Sequence, residues 1–272
     1  MPSPLRLQAV TLPVSDLGVA DPFYRWTFRL EPAPEASPAA TLALAWGRED
    51  RVLLVGPETG DAASVTLRMP SMTPEEALAW CAERDLEPSA AAGPRADVDL
   101  AAERLPGVAI QVVEDPRLLN VFRLTVRGWG SAHVELAFPI PGVVLARRGQ
   151  AGPFLWRVED WQGLETPGLL GVTLAGPDLE AGRAFWQRIG ARPLDETADP
   201  AGPLRVGDHQ VVLAEREPAG LRGVALLVPE AKLGEVARTL SHLKVEFKQA
   251  GNRVLARDPD GRVVFVQGVR AA

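Results

Sequence analysis

Cysteine is almost missing from this 272-residue chain: Cys81 is the one thiol, so no disulfide framework can form. Histidine is nearly as scarce, with His133, His209 and His242 making up the whole set. A zinc site of the Cys/His type is therefore not expected, and any metal would have to rely on carboxylates and these imidazoles. No run of 18 apolar residues occurs, so no membrane-spanning helix is predicted. The opening MPSPLRLQAVTLPVSDL reads as lacking the apolar core of a secretory signal. Lysine is confined to Lys232, Lys244 and Lys248, so almost all of the 29 basic residues are Arg. The formal net charge of −6 and a pI near 5.3 argue against a general binder of nucleic acid or anionic membrane. With its abundant Ala, Gly and Pro, the chain reads as a cytoplasmic bacterial protein, monomer or homodimer.

What the chain has is apolar residues, 46 % of the total, and punctuation between them. Gly and Pro contribute 25 residues each, nearly a fifth of the chain against about 12 % in average usage. That excess has no collagen period, and it implies many turns between short elements. A four-residue strand signature returns four times: Ala9-Val-Thr-Leu12, Ser64-Val-Thr-Leu67, Gly171-Val-Thr-Leu174 and Gly223-Val-Ala-Leu226. The starts lie 55, 107 and 52 residues apart. Internal repeats of this length determine the architecture and take precedence over single motifs.

The copies share more than the strand. Leu12 leads into Pro-Val-Ser-Asp-Leu and then Phe23-Tyr24; Leu174 leads into Ala-Gly-Pro-Asp-Leu and then Phe185-Trp186. Each Asp suits a helix N-cap, and Pro22 suggests that the first helix begins near Asp21. Thr73-Pro-Glu-Glu76 fits a capping box in the second copy. Leu42 to Val55 and Leu204 to Leu213 read as hairpins, and Asp258-Pro-Asp-Gly261 as the tip of a third. Each unit is thus β-α-β-β-β, about 52 residues long. Two pairs of units give two domains, 1–115 and 168–272. The interval 116–167 reads as a β-rich insertion covering a sheet edge.

Paired βαβββ units with the Asp-Leu step, the aromatic pair and the closing Asp-Pro-Asp-Gly resemble the vicinal oxygen chelate superfamily. Glyoxalase I, bleomycin-resistance proteins and extradiol dioxygenases share that fold. The resemblance covers about 1–115 and 168–270 and implies an α+β fold, with paired modules forming cup-shaped mixed sheets. It also implies a metal site built from a His or Gln at the head of a unit's first strand and a Glu on its last strand. In dioxygenase-like members two His and one Glu hold iron; in glyoxalase-like members the metal polarises vicinal oxygens.

Carried onto this sequence, the heads are Ala9, Ser64, Gly171 and Gly223, and the last-strand positions are Gln111 and Phe265. Ala, Gly and Phe cannot ligate a metal, and Ser64 and Gln111 are weak, uncharged donors. The usual metal site is thus expected to be missing, with no cofactor predicted, although Fe, Mn, Ni or Zn held elsewhere is not excluded. Alternation places Ala9, Thr11, Ser64, Thr66 and Gln111 on the first cup, and Gly171, Thr173, Gly223, Ala225 and Phe265 on the second. Trp46, beside a hairpin turn, is suited either to stack on a flat ligand or to pack in the core. His133 and Glu135, two apart on one strand face, offer displaced ligands, or simply an exposed face with Val134 and Leu136 inward. His209 is expected at a surface turn, His242 in a last helical turn, and Cys81 inert on a helix.

The expected function is metal-independent binding of a small molecule in the first cup, in the manner of the bleomycin-resistance branch. The alternatives are a glyoxalase- or dioxygenase-like metalloenzyme using displaced ligands, and a scaffold whose sheets serve assembly.

Overall fold

Short runs of Val, Leu and Thr separated by Gly and Pro pair here into two large sheets. The computed structural model describes residues 5–32, 41–45, 50–59, 62–70, 72–90, 109–113, 121–129, 133–139, 143–147, 168–194, 202–216 and 218–269. The first unit is β1 (Arg6–Pro13), α1 (Leu17–Phe28), β2 (Glu31–Pro32), β3 (Thr41–Ala45) and β4 (Arg51–Val55). Next come β5 (Ser64–Arg68), α2 (Pro74–Ala82), β6 (Pro88–Ala90), β7 (Ala109–Val113), β8 (Val121–Arg127), β9 (His133–Pro139) and β10 (Val143–Arg147). The third unit holds β11 (Gly168–Gly176), α3 (Leu179–Ile189), β12 (Arg192–Pro193), β13 (Leu204–Val206) and β14 (His209–Glu215). The fourth is β15 (Gly220–Pro229), α4 (Leu233–His242), β16 (Phe247–Ala250), β17 (Arg253–Arg257) and β18 (Val263–Val269).

The sheets have the orders β2-β3-β4-β1-β5-β9-β8-β6 and β12-β13-β14-β11-β15-β18-β17-β16. They correspond strand for strand: β1 and β5, like β11 and β15, run antiparallel at the centre, each with its unit's last strand parallel beside it. A parallel neighbour requires a crossover, which the helix and hairpin of each unit supply. A bulge precedes the head residue in both halves, between Leu7 and Ala9 and between Leu169 and Gly171.

This correspondence corrects one boundary. The hairpin β8–β9 closes the second unit, so 121–139 belongs to the first sheet and is not an insertion beyond residue 115. Phe138 of β9 packs edge-on against Trp80 of α2, with ring centroids 5.9 Å apart. The strand expected to close that unit, β7, instead pairs with β10 in a separate two-stranded sheet.

One face of each sheet packs on the helices. Val10, Leu12, Val65, Leu67, Val134 and Leu136 are buried on the first, and Val172, Leu174, Val224, Leu226, Val264 and Val266 on the second. Phe23-Tyr24 and Phe185-Trp186 are buried in this core. Asp16 caps α1 by accepting from the Gly18 amide, so the helix starts at Leu17 and Pro22 lies inside it. The side-chain cap outweighs the preference of proline for the first turn, at the expense of one backbone bond. Asp178 caps α3, and Thr73 and Glu76 form the expected capping box on α2. The third helix ends on Gly190 at φ 113, whereas the first ends on Arg29 at φ 57. No helix of the described residues is long and apolar enough to cross a membrane.

Each half grips the other with the tip of a hairpin. The β17–β18 tip reaches the end of β1: Arg262 donates to the Pro13 carbonyl, and Asp260 accepts from the Ser15 amide at 3.1 Å. Asp258 accepts from the Tyr24 hydroxyl at 2.8 Å and pairs with Arg262 at 3.0 Å. Burial, reinforced by the Asp258 charge, holds the Tyr24 hydroxyl well above its ordinary pKa. The corresponding β8–β9 tip has Trp129, whose indole lies over Gly176 and Gly182; a Cβ at either would come within 2.7 Å of the ring.

Candidate functional site

The faces of the two sheets opposite their helices are built on one register. In the first, Ala9 pairs with Thr66 and Thr11 with Ser64 across β1 and β5, while Ser64 pairs with His133 and Thr66 with Glu135 across β5 and β9. In the second, Gly171 pairs with Ala225 and Thr173 with Gly223, while Gly223 pairs with Val263 and Ala225 with Phe265. Position by position, Glu135 therefore answers to Phe265, Ser64 to Gly223 and Ala9 to Gly171. The closing-strand position in the first cup is Glu135, not Gln111. Gln111 lies on β7 outside this sheet, and Trp46 lies outside the described residues.

Ala9, Thr11, Ser64 and Thr66 are all buried, the last two at 6 % and 4 % exposure. The half-buried Glu135 accepts a hydrogen bond from Thr66 Oγ1 to Oε2 at 3.0 Å. Its cross-strand neighbour on the other side is Thr125. His133 is exposed beside Ser64, with Val134 and Leu136 inward as the alternation requires. Arg6 and Arg68 are buried on the same face and directly opposed across β1 and β5. The first cup is thus floored by hydroxyls, guanidinium groups and one carboxylate.

The second cup is half-exposed and largely apolar. Thr173, Val212, Ala225, Val263 and Phe265 are all half-buried, and Leu255, opposite Phe265, is 43 % exposed. Its heads are glycine for a steric reason. A Cβ on Gly171 would lie 2.1 Å from the Gln210 carbonyl oxygen, and one on Gly223 would lie 2.7 Å from that of Val263.

Neither cup fits the metal that the resemblance implies. Two imidazoles and a carboxylate would be needed for an iron site with open positions. The first cup offers a methyl, a hydroxyl and a carboxylate at those positions; the second offers two glycines and a phenyl ring. Among the described residues, no cluster of three His, Cys, Asp or Glu side chains could hold an ion.

The other residues singled out in the sequence lie elsewhere. His209 is fully buried where β14 begins, not on the surface, because the seam between the halves covers its turn. Burial first, and then the Arg6 charge, lower its pKa to about 4. The Val206 backbone, near the ring but outside hydrogen-bonding geometry, offsets little of this. Register makes Asp50 its counterpart, and Asp50 likewise reaches across the seam, accepting from the Leu169 amide at 3.2 Å. His242 ends α4 as expected. Cys81 is buried on α2, and burial raises its pKa although Arg84 opposes this, so the thiol stays protonated.

Two pockets, of about 180 and 210 Å³, lie at the helix seams between the halves. One involves α1 and α4, the other the end of α2 and α3, and neither opens on a cup face.

No protein-family model matches the sequence, and no curated protein matches it. Among solved structures, the chain is similar to an extradiol ring-cleaving dioxygenase from B. fuscum, with a TM-score of 0.61 and 16 % identity, covering 99 % of this chain and 73 % of that one. It is similar also to homoprotocatechuate 2,3-dioxygenase from Arthrobacter globiformis, with a TM-score of 0.61 and 15 % identity, covering 98 % and 80 %. At such identities the likeness concerns the fold: two mixed sheets of paired βαβββ units, arranged as in the extradiol dioxygenases.

Proposed function

We propose that this protein binds a small molecule in the first cup without a metal at the positions where the family resemblance would place one. It is then a glyoxalase- or bleomycin-resistance-like binding protein on an extradiol-dioxygenase fold. The observation that carries this reading is the difference between equivalent positions. Where the second sheet has Gly223, Ala225 and Phe265, the first has Ser64, Thr66 and Glu135, polar groups that strand pairing does not require. A small number of convergent polar groups on a concave face is what fixes the orientation of a small ligand. Ala9 and Ser64 supply no strong ligand beside Glu135, which argues against divalent iron chemistry there.

The fold likeness to ring-cleaving dioxygenases favours a second reading, a metalloenzyme with displaced ligands. His133 and Glu135 share a face of β9 next to Ser64 and Thr66, and would be its core. Metal analysis of protein purified without chelator separates the two readings. The expected result is sub-stoichiometric Fe, Mn, Ni and Zn after dialysis. A full equivalent of any of them, lost in a Glu135→Ala variant, overturns the first reading and supports the second.

A further inference from the structure

We infer that the open face of the second sheet docks an acidic protein segment that carries bulky apolar residues between its carboxylates. This surface is separate from the first cup and does not depend on how that cup is read. Residues paired across neighbouring strands share a face. One such row crosses all eight strands: it starts at Arg192 and Arg205, passes Ala225, Phe265 and Leu255, and ends at Lys248. Arg253 and Arg257 lie two residues to either side of Leu255 on β17, where burial alternates so that all three are exposed. Arg192, Arg205 and Lys248 are exposed as well. The whole chain is acidic, with 35 Asp and Glu against 29 Lys and Arg. On this face the balance is reversed: these five cations share it with no Asp or Glu among the described strand residues. None of the five forms an ion pair among the described residues; Arg257 donates to the Gly261 carbonyl at 2.7 Å. A guard against edge pairing accounts for Lys248 on β16. It does not account for Arg205, Arg253 and Arg257, which stand one strand in from the edges. Exposed apolar side chains rimmed by charge of one sign mark a docking surface for a partner of the opposite sign. Seven strand spacings of about 4.8 Å separate the ends of the row, on the order of 30 Å along the sheet. A small molecule reaches one end only, whereas about ten extended residues of a protein segment reach both.

The probe is a fluorescein-labelled peptide, Glu-Glu-Asp-Leu-Phe-Leu-Phe-Asp-Glu-Glu, titrated with the full chain and read by anisotropy. Saturable binding is expected, weakening several-fold as ionic strength rises from about 0.05 to about 0.3 M, because exposed charges are screened. Lys248→Glu with Arg253→Glu at one end, and Arg205→Glu at the other, should each weaken binding by about fivefold or more. Arg238→Glu on α4, which matches Arg205→Glu in charge, should leave it unchanged. Leu255→Ser should weaken it several-fold at every ionic strength. The same peptide with Ala at its apolar positions should bind several-fold more weakly, and with Lys at its acidic positions not at all. Absence of binding by the acidic peptide overturns the inference. Equal binding of the Ala-centred peptide, or of single-stranded oligothymidylate, overturns it in favour of a general polyanion surface. A loss confined to one end of the row overturns it in favour of a small-anion site. Sedimentation of the wild-type chain alone supplies the last outcome: a dimer that Lys248→Glu dissociates overturns it in favour of a second copy as the occupant. Where a charge reversal does not fold, Lys248→Ala and Arg205→Ala report on the same two ends.

Discussion

The two sheets of this protein follow the same path and have opposite working faces. In the first, the face away from the helices is polar and mostly buried, with Thr11, Ser64, Thr66 and Arg68 buried and Glu135 half-buried. In the second, the equivalent surface is half-open and carries Thr173, Ala225, Val263 and Phe265 around two glycine heads. The helix-packed faces of both are the same Val and Leu pattern. What differs between the halves is thus independent of what folds them. A strand exposes alternate residues to each face, so one set can keep the core while the other changes freely.

The largest expected effect comes from the head positions. Gly171→Ala places a Cβ 2.1 Å from the Gln210 carbonyl oxygen, so the central ladder of the second sheet must shift. The cost should be on the order of 3 kcal/mol, as for overpacking against a rigid neighbour. The reciprocal change, Ala9→Gly in the first sheet, should cost only about 1 kcal/mol through backbone entropy. Chemical denaturation of both variants measures the contrast. Equal losses would mean that the two heads differ only in side chain and not in the space the neighbouring strand leaves them.

The hairpin tips give a second contrast. Unit four holds unit one with charge, through Asp258, Asp260 and Arg262; unit two holds unit three with Trp129 laid over Gly176 and Gly182. In unit one the corresponding residues are Val14 and Ala20, both buried. Trp129→Ala should therefore open a cavity and lose about 2–3 kcal/mol. Adding Gly182→Ala to that variant should recover part of the loss, whereas Gly182→Ala alone should be destabilising because its Cβ meets the indole at 2.7 Å. A double-mutant cycle by urea denaturation measures the coupling, and additivity would show that the ring and the glycine do not pack as described.

Much of this architecture was legible in the residues. The Val-Thr-Leu signatures mark β1, β5 and β11, Asp178 marks a helix start, and Asp258-Pro-Asp-Gly261 marks a hairpin tip. Pro22, by contrast, draws the expected start of the first helix to Asp21, although Asp16 caps it at Leu17. The second unit was legible only as far as α2. Ala109-Ile-Gln-Val-Val113 and His133-Val-Glu-Leu136 both alternate, and no local feature says which of them pairs with β5. That choice is made by long-range pairing, and it moved the closing position from Gln111 to Glu135. Glu135 was visible as a strand residue two away from His133, but its place opposite Thr66 was not. His209 failed for a similar reason: a turn after Gly207-Asp208 reads as surface, and only the packing of the other half covers it.

That buried histidine carries an expected effect smaller than those of Gly171→Ala and Trp129→Ala, and it is the one that tests the seam itself. Asp50 and His209 occupy corresponding sites, Asp50 immediately before β4 and His209 opening β14, each directed at the other half. Asp50 bonds the Leu169 amide, while His209 lies near Arg6 and is held neutral by burial and by that charge, with its pKa lowered to about 4. In the unfolded chain the imidazole returns to 6.5 and takes up a proton that the folded protein refuses. Between those two values the unfolded state binds more protons, so stability falls as pH drops from about 6.5 towards 4 and is unaffected by this residue above that window. At pH 5 the loss from His209 alone should be about 2 kcal/mol. Other groups titrate in the same range, so the quantity to measure is a difference: the change in unfolding free energy between pH 7 and pH 5 for the wild-type protein minus that for His209→Gln. A difference near zero would place the imidazole in contact with water or with a proton acceptor. The seam would then be wet at the second half and dry only around Asp50.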